Sequence, residues 1–177
     1  MNTKELLQRF QESTARYVEE LSHFTMEELT TQPSPSDWSI GQMYVHLYQS
    51  ALYMQLANVE KCRIGSDVTT GDKTEIGQKV FAGGEIPPIR VQVPPSPAYT
   101  PVQPESKEQI LEGLNAAAAR MQEVEPHLHE ISLAHQIVHP GFGALNGQEW
   151  FQLVEMHYRH HFRQLDRLKG ELMQNKA

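Results

Sequence analysis

Four stretches of this chain pair a helix-opening signal or a clean helical stripe with a long run of apolar positions, and that count limits the fold more than any other feature. Ser39 with Gln42, Ser106 with Gln109 and Asn146 with Glu149 each place a capping residue three positions before a side chain able to reach back to free backbone N–H groups. Upstream of them, Leu6, Leu7, Phe10, Ala15, Val18 and Leu21 follow one helical face. Long helices are therefore expected over 3–21, from 39 to about 61, from 106 until Pro126 stops the third, and from 146 to about 173. A short connector helix opens at Thr25 and ends before the prolines of "QPSPSD". Each long helix is apolar on one side only and must bury that side against the others, which predicts an all-α four-helix bundle forming a single domain over 1–177.

Positions 62–105 are the exception, rich in glycine and then proline in "FAGGEIPPIRVQVPPSPAYTPVQPES". A connection of that length serves either as an extended strap, letting the third long helix run parallel to the second, or as a lid over a site. The alternation in "IRVQV" fits a short strand. With 22 acidic against 15 scattered basic residues and a net charge of −7, the chain lacks the concentrated positive surface that nucleic acid or an anionic membrane requires. No apolar run approaches the ~18 residues of a membrane span, the start of the chain reads as a polar amphipathic helix rather than a leader, and the single Cys62 has no disulfide partner. A reducing cytoplasm is the expected compartment.

The stretch "EMHYRHHFRQ" sets three histidines on the fourth long helix. At ~100° per residue, His157 and His161 fall on or at the edge of the arc that holds Trp150, Val154, Leu165 and Leu168, whereas His160 is turned ~60–80° toward the flank. Two imidazoles on a core-facing stripe need partners for four ring nitrogens, and a metal ion shared at i,i+4 spacing removes part of that need. A third ligand is required; His46, on the shoulder of the Ile40, Met43, Tyr44, Leu47, Ala51, Met54 stripe with Ser50 and Tyr53, is the candidate if the two helices meet there, and a flank histidine bonded to a carbonyl otherwise. Glu155, Arg159 and Arg163 fall on the opposite side and are expected to form a solvated face. His135 is expected in solvent, His139 in a turn, and Cys62 as an incidental small residue without a partner that would mark a nucleophile.

The elements "DWSIGQMYVHL", "PPSPAYTPVQPESKEQI" and "HPGFGALNGQEWFQLVEMHYRHHFRQLDRL" together resemble the DinB/YfiT-like family of metal-dependent four-helix-bundle proteins, over essentially the whole chain. The resemblance implies one divalent metal ion per chain, zinc, nickel or iron(II), held by His46, His157 and His161, with His160 outside the ligand set. It also implies a homodimer, and either a hydrolase or a low-molecular-weight-thiol S-transferase acting on a small molecule, some relatives resembling bacillithiol- or mycothiol-dependent transferases. Three nitrogen ligands leave an open metal position, where a bound water or a thiolate can be activated. Gln164 and Ser50, each near one ligand, are candidates to orient the site, and no residue stands out as a general base. A non-catalytic, stress-related protein that binds metal or a small ligand is the alternative reading.

Overall fold

The computed structural model describes residues 2–89 and 100–175. Helices α1 (Thr3–Ser22), α2 (Met26–Thr30), α3 (Ile40–Gln49), α4 (Leu56–Ile64), α5 (Glu75–Gly83), α6 (Lys107–Val124) and α7 (Gly147–Asn175) are joined by a π-helical turn at Ser50–Gln55, a 3-10 segment at Glu125–Glu130 and a hairpin of β1 (Gln136–His139) and β2 (Gly143–Asn146). None of the helices among the described residues is long and apolar enough to cross a membrane.

The caps form as the residue types require. Ser39 and Gln42 exchange both bonds of a capping box, with Gln42 N–H donating to Ser39 Oγ at 3.0 Å and Ser39 N–H to Gln42 Oε1 at 2.9 Å. Thr25 with Glu28 and Asn146 with Glu149 do likewise. At α6 the exchange is displaced by one residue: Gln109 Oε1 takes the N–H of Glu105 rather than that of Ser106.

The four-helix bundle is built from α1, α3 with α4, α6 and α7. Helix α7 packs against α1 and against α3 and α4, and α6 packs against α1 and α3. Side-chain pairs fix the directions. Tyr17 meets Tyr158 and Glu20 meets Lys169, so α1 and α7 run parallel. Asp37 meets Arg167 while His46 meets His157, so α3 runs against α7. Tyr48 lies against Gly113 and Glu60 near Arg120, so α6 runs with α3 and α4. Parallel helices cannot be joined by a short turn, and this explains why the chain needs the long connection between α4 and α6. The core holds Phe10, Tyr17, Tyr44, Leu47, Leu114, Trp150 and Leu165, and Tyr44 Oη donates across it to the Tyr17 carbonyl at 2.8 Å.

The connection differs from an extended strap in its first half. Thr69 N–H donates to the Gln136 carbonyl at 2.7 Å and Thr74 N–H to the Phe142 carbonyl at 2.9 Å, so this segment runs along the hairpin before α5 starts. Helix α5 was not legible because it is only 9 residues long and its apolar positions, Ile76, Val80 and Phe81, span less than two turns. The proposed "IRVQV" strand lies outside the described residues, apart from Ile89.

Helix α5 seats on the hairpin turn so closely that a Cβ at Gly77 would overlap the Phe142 carbonyl. Gly77→Ala is therefore expected to destabilise the protein by about 1–3 kcal/mol, the usual range for forcing an atom into a filled contact. Thermal unfolding checks this, and an unchanged midpoint would show that α5 shifts freely on the hairpin.

The π-helical turn is the second departure from the expected pattern. It inserts one residue into the helix and rotates everything after it, so the buried positions become Ala51, Gln55, Leu56, Val59 and Cys62. Met54, expected in the core, is 38% exposed, and Tyr53, expected on the shoulder beside His46, is 75% exposed. Cys62 is fully buried, and burial pushes its thiol up to about 11, away from the range of a nucleophile.

Candidate metal centre

His46 is presented by α3 one turn before the π-helical segment, and His157 and His161 by α7 one turn apart. Because α3 and α7 pack side by side, the three rings meet. One ring nitrogen from each lies within 4.8 Å of the other two. His157 Nε2 is 3.0 Å from His46 Nε2 and 3.0 Å from His161 Nε2. No other such group of His, Cys, Asp or Glu occurs among the described residues.

The outer nitrogens are arranged in support. His161 Nδ1 donates to Gln164 Oε1 at 2.7 Å, which leaves its Nε2 with a lone pair toward the cluster. His46 Nδ1 is 3.3 Å from Ser50 Oγ, and the Trp38 ring packs on His46 with centroids 4.9 Å apart. His157 Nδ1 is buried without a hydrogen-bond partner among the described residues.

These contacts do not close with imidazoles alone. His161 Nε2 presents a lone pair, so a bare His157 Nε2 would set lone pair against lone pair there, while a hydrogen on His157 Nε2 can be directed at only one of its two 3.0 Å neighbours. A cation among the three removes the conflict, since it takes a lone pair from every ring. The residues therefore fit a divalent ion held by His46, His157 and His161. Burial pushes His46 down to about 4 and His161 down to about 3, with His46 adding to the effect on His161 and Gln164 opposing it. His157 lies well below its ordinary value, first by burial and then through His161 and His46. Each of these shifts favours the neutral ring, the form that ligates a metal.

The cluster borders a cavity of about 530 Å³. Trp38, Met54, Ile86, Pro88, Phe142 and Leu153 give it apolar walls. Asp37, Arg163 and Arg167 stand at it with charge, and Arg167 is held in a fork by Asp37, at 2.6 and 3.0 Å, and by Glu171. His160 also lines the cavity, but it stands apart from the converging nitrogens.

Two expectations need correction. Glu155 and Arg159 do not form a solvated face: Glu155 is 1% exposed and receives both Arg159 Nε, at 2.9 Å, and Arg159 Nη2, at 3.0 Å. Arg159 Nη2 also donates to the Gly84 carbonyl at 2.6 Å, so it ties α7 to the start of the segment that walls the cavity. Arg163 is exposed as expected, yet it leans to the Ile86 carbonyl and lines the cavity. His135 is not free in solvent either, since its Nδ1 is 2.7 Å from the Cys62 carbonyl.

His139 lies at the turn expected from the sequence and also lines the cavity. The signal that finds it is the hairpin, whose turn "HPGFG" folds the ring back between Phe142, stacked at 4.4 Å, and Trp150, at 5.4 Å.

The family model described as the DinB superfamily matches residues 7–165. Among solved structures, that of TT2238, a four-helix bundle protein, is 17% identical and aligns over 94% of this chain and 99% of that one with a TM-score of 0.60, which shows a shared fold. A structure of the mycothiol-dependent maleylpyruvate isomerase is 16% identical and aligns over 91% of this chain and 59% of that one with a TM-score of 0.42. No curated protein matches the chain in sequence.

Proposed function

We propose, for a chain that belongs to the DinB superfamily, that His46, His157 and His161 hold one divalent metal ion and that the protein is a metal-dependent enzyme for a small organic molecule bound in the adjoining cavity. The observation that carries the reading is the pair of 3.0 Å contacts at His157 Nε2, which three imidazoles alone leave in conflict. Zinc, nickel and iron(II) all accept imidazole. Such an ion supplies Lewis acidity, favouring the deprotonated form of a water or thiol or polarising a carbonyl.

The chain supplies orientation and a dry wall. Gln164 and Ser50 hold the outer nitrogens of His161 and His46, and Trp38 fixes the plane of His46. The apolar walls limit water around the reacting group and suit a substrate with a hydrophobic body. Asp37, the one carboxylate among the described residues at the cavity, is held by Arg167 and is not available as a base. This favours low-molecular-weight-thiol S-transfer, which asks the site mainly to hold a thiolate and an electrophile, over hydrolysis aided by a carboxylate base.

The test is a panel assay on protein loaded with zinc, nickel or iron(II). Metal-dependent conjugation of a small thiol to an electrophile, without ester or amide hydrolysis, is the expected result. Metal-dependent hydrolysis would assign the hydrolase instead, and silence in both assays together with tight capture of a small ligand would make the protein a binder.

A further inference from the structure

The turn between β1 and β2 fixes the tautomer of His139. The backbone N–H of Gly141 donates to His139 Nδ1 at 3.0 Å, and that of Phe142 donates to the same atom at 3.1 Å. Backbone N–H groups only donate, so Nδ1 must be the acceptor and the ring hydrogen must sit on Nε2. No described residue pairs with Nε2, although the ring is held between Phe142 and Trp150 and lines the cavity that the three-histidine cluster borders. A second hydrogen on Nδ1 would break both turn bonds, and burial also disfavours the charged ring. His139 is thus a fixed, neutral, single-hydrogen donor.

We infer that His139 donates its Nε2–H to an oxygen of the small molecule bound beside the metal, and that the ligand class is one carrying a carbonyl or carboxylate oxygen next to an apolar body. The inference rests on the proposed metal centre and assigns a polar contact in a cavity that Phe142 and Leu153 also line. A neutral imidazole suits this task. It offers a directed hydrogen to a partly negative oxygen without adding a positive charge beside three ligands that must remain unprotonated.

Two measurements test it. In metal-free protein, long-range proton–nitrogen NMR is expected to show His139 Nδ1 as the unprotonated nitrogen and Nε2 as the protonated one; the reverse pattern overturns the inference. In cobalt(II)-loaded protein, acetate and 2-mercaptoethanol serve as probes, read by the visible absorption of the ion. His139→Asn keeps a side-chain oxygen for the two turn N–H groups but loses the Nε2 donor. It is expected to bind cobalt normally, to bind acetate roughly tenfold more weakly or worse, as for loss of a hydrogen bond to a charged group, and to leave 2-mercaptoethanol binding unchanged. Equal acetate affinity in parent and variant overturns the inference, as does a parallel loss for both probes. A parent protein that takes up no cobalt contradicts the metal centre itself, a separate failure from that of His139.

Discussion

His157→Ala is expected to abolish stoichiometric binding of a divalent ion that the parent holds at about one per chain. His157 is the member that touches both others, with Nε2 at 3.0 Å from each, so its loss leaves His46 and His161 without the ring that links them. The fall in affinity should exceed the ~10–100-fold that loss of an outer partner such as Gln164 brings. Competition with a chelator of known affinity measures both. His160→Ala supplies the control, because that ring lies outside the converging set, and it should bind metal as the parent does. Undiminished binding by His157→Ala would mean that the ion, if any, sits elsewhere.

Arg159→Ala is expected to lower stability by about 2–3 kcal/mol. Glu155 is 1% exposed, and removing the guanidinium leaves its carboxylate buried with only Arg9, at 3.9 Å, as a remaining cation among the described residues. Stranding a buried charge costs ~3–5 kcal/mol, and the figure here is set below that range because the Arg159 side chain is 39% exposed. Arg159→Leu combined with Glu155→Leu should recover much of the loss, since an apolar pair of similar volume needs no counter-charge. Chemical denaturation of the single and double variants closes the cycle. A neutral Arg159→Ala would place the pair among surface ion pairs of little weight.

The helices were legible because their signals are local. Ser39 with Gln42 and Asn146 with Glu149 cap as their residue types dictate, and the phase of His157, His160 and His161 around α7 needs only helical geometry. The meeting of His46 with the other two was not legible from spacing, because it depends on α3 and α7 being neighbours in the bundle. The family resemblance, not periodicity, pointed to that set.

Glu155 was misread for a related reason. A single-stripe reading assumes that one side of a helix faces water, whereas the first half of α7 is enclosed by α1, α3 and α4, so that Leu153, Val154, Glu155 and Met156 are all buried. The π-helical turn was hidden because one inserted residue leaves no composition signal; it shows only as the exchange of Met54 for Gln55 on the buried side. His139 escaped because its role comes from a turn that folds the ring back on its own backbone, next to residues on α7.

The central claim is that three imidazoles bind one ion, and X-ray absorption at the zinc edge of stoichiometrically loaded protein tests it most directly. The predicted spectrum shows imidazole nitrogens at about 2.0–2.1 Å, with multiple scattering that fits three rings, and no sulfur neighbour. It loses one ring in His46→Ala. A spectrum with a sulfur neighbour at about 2.3 Å, or one unchanged in His46→Ala, would contradict the three-histidine centre.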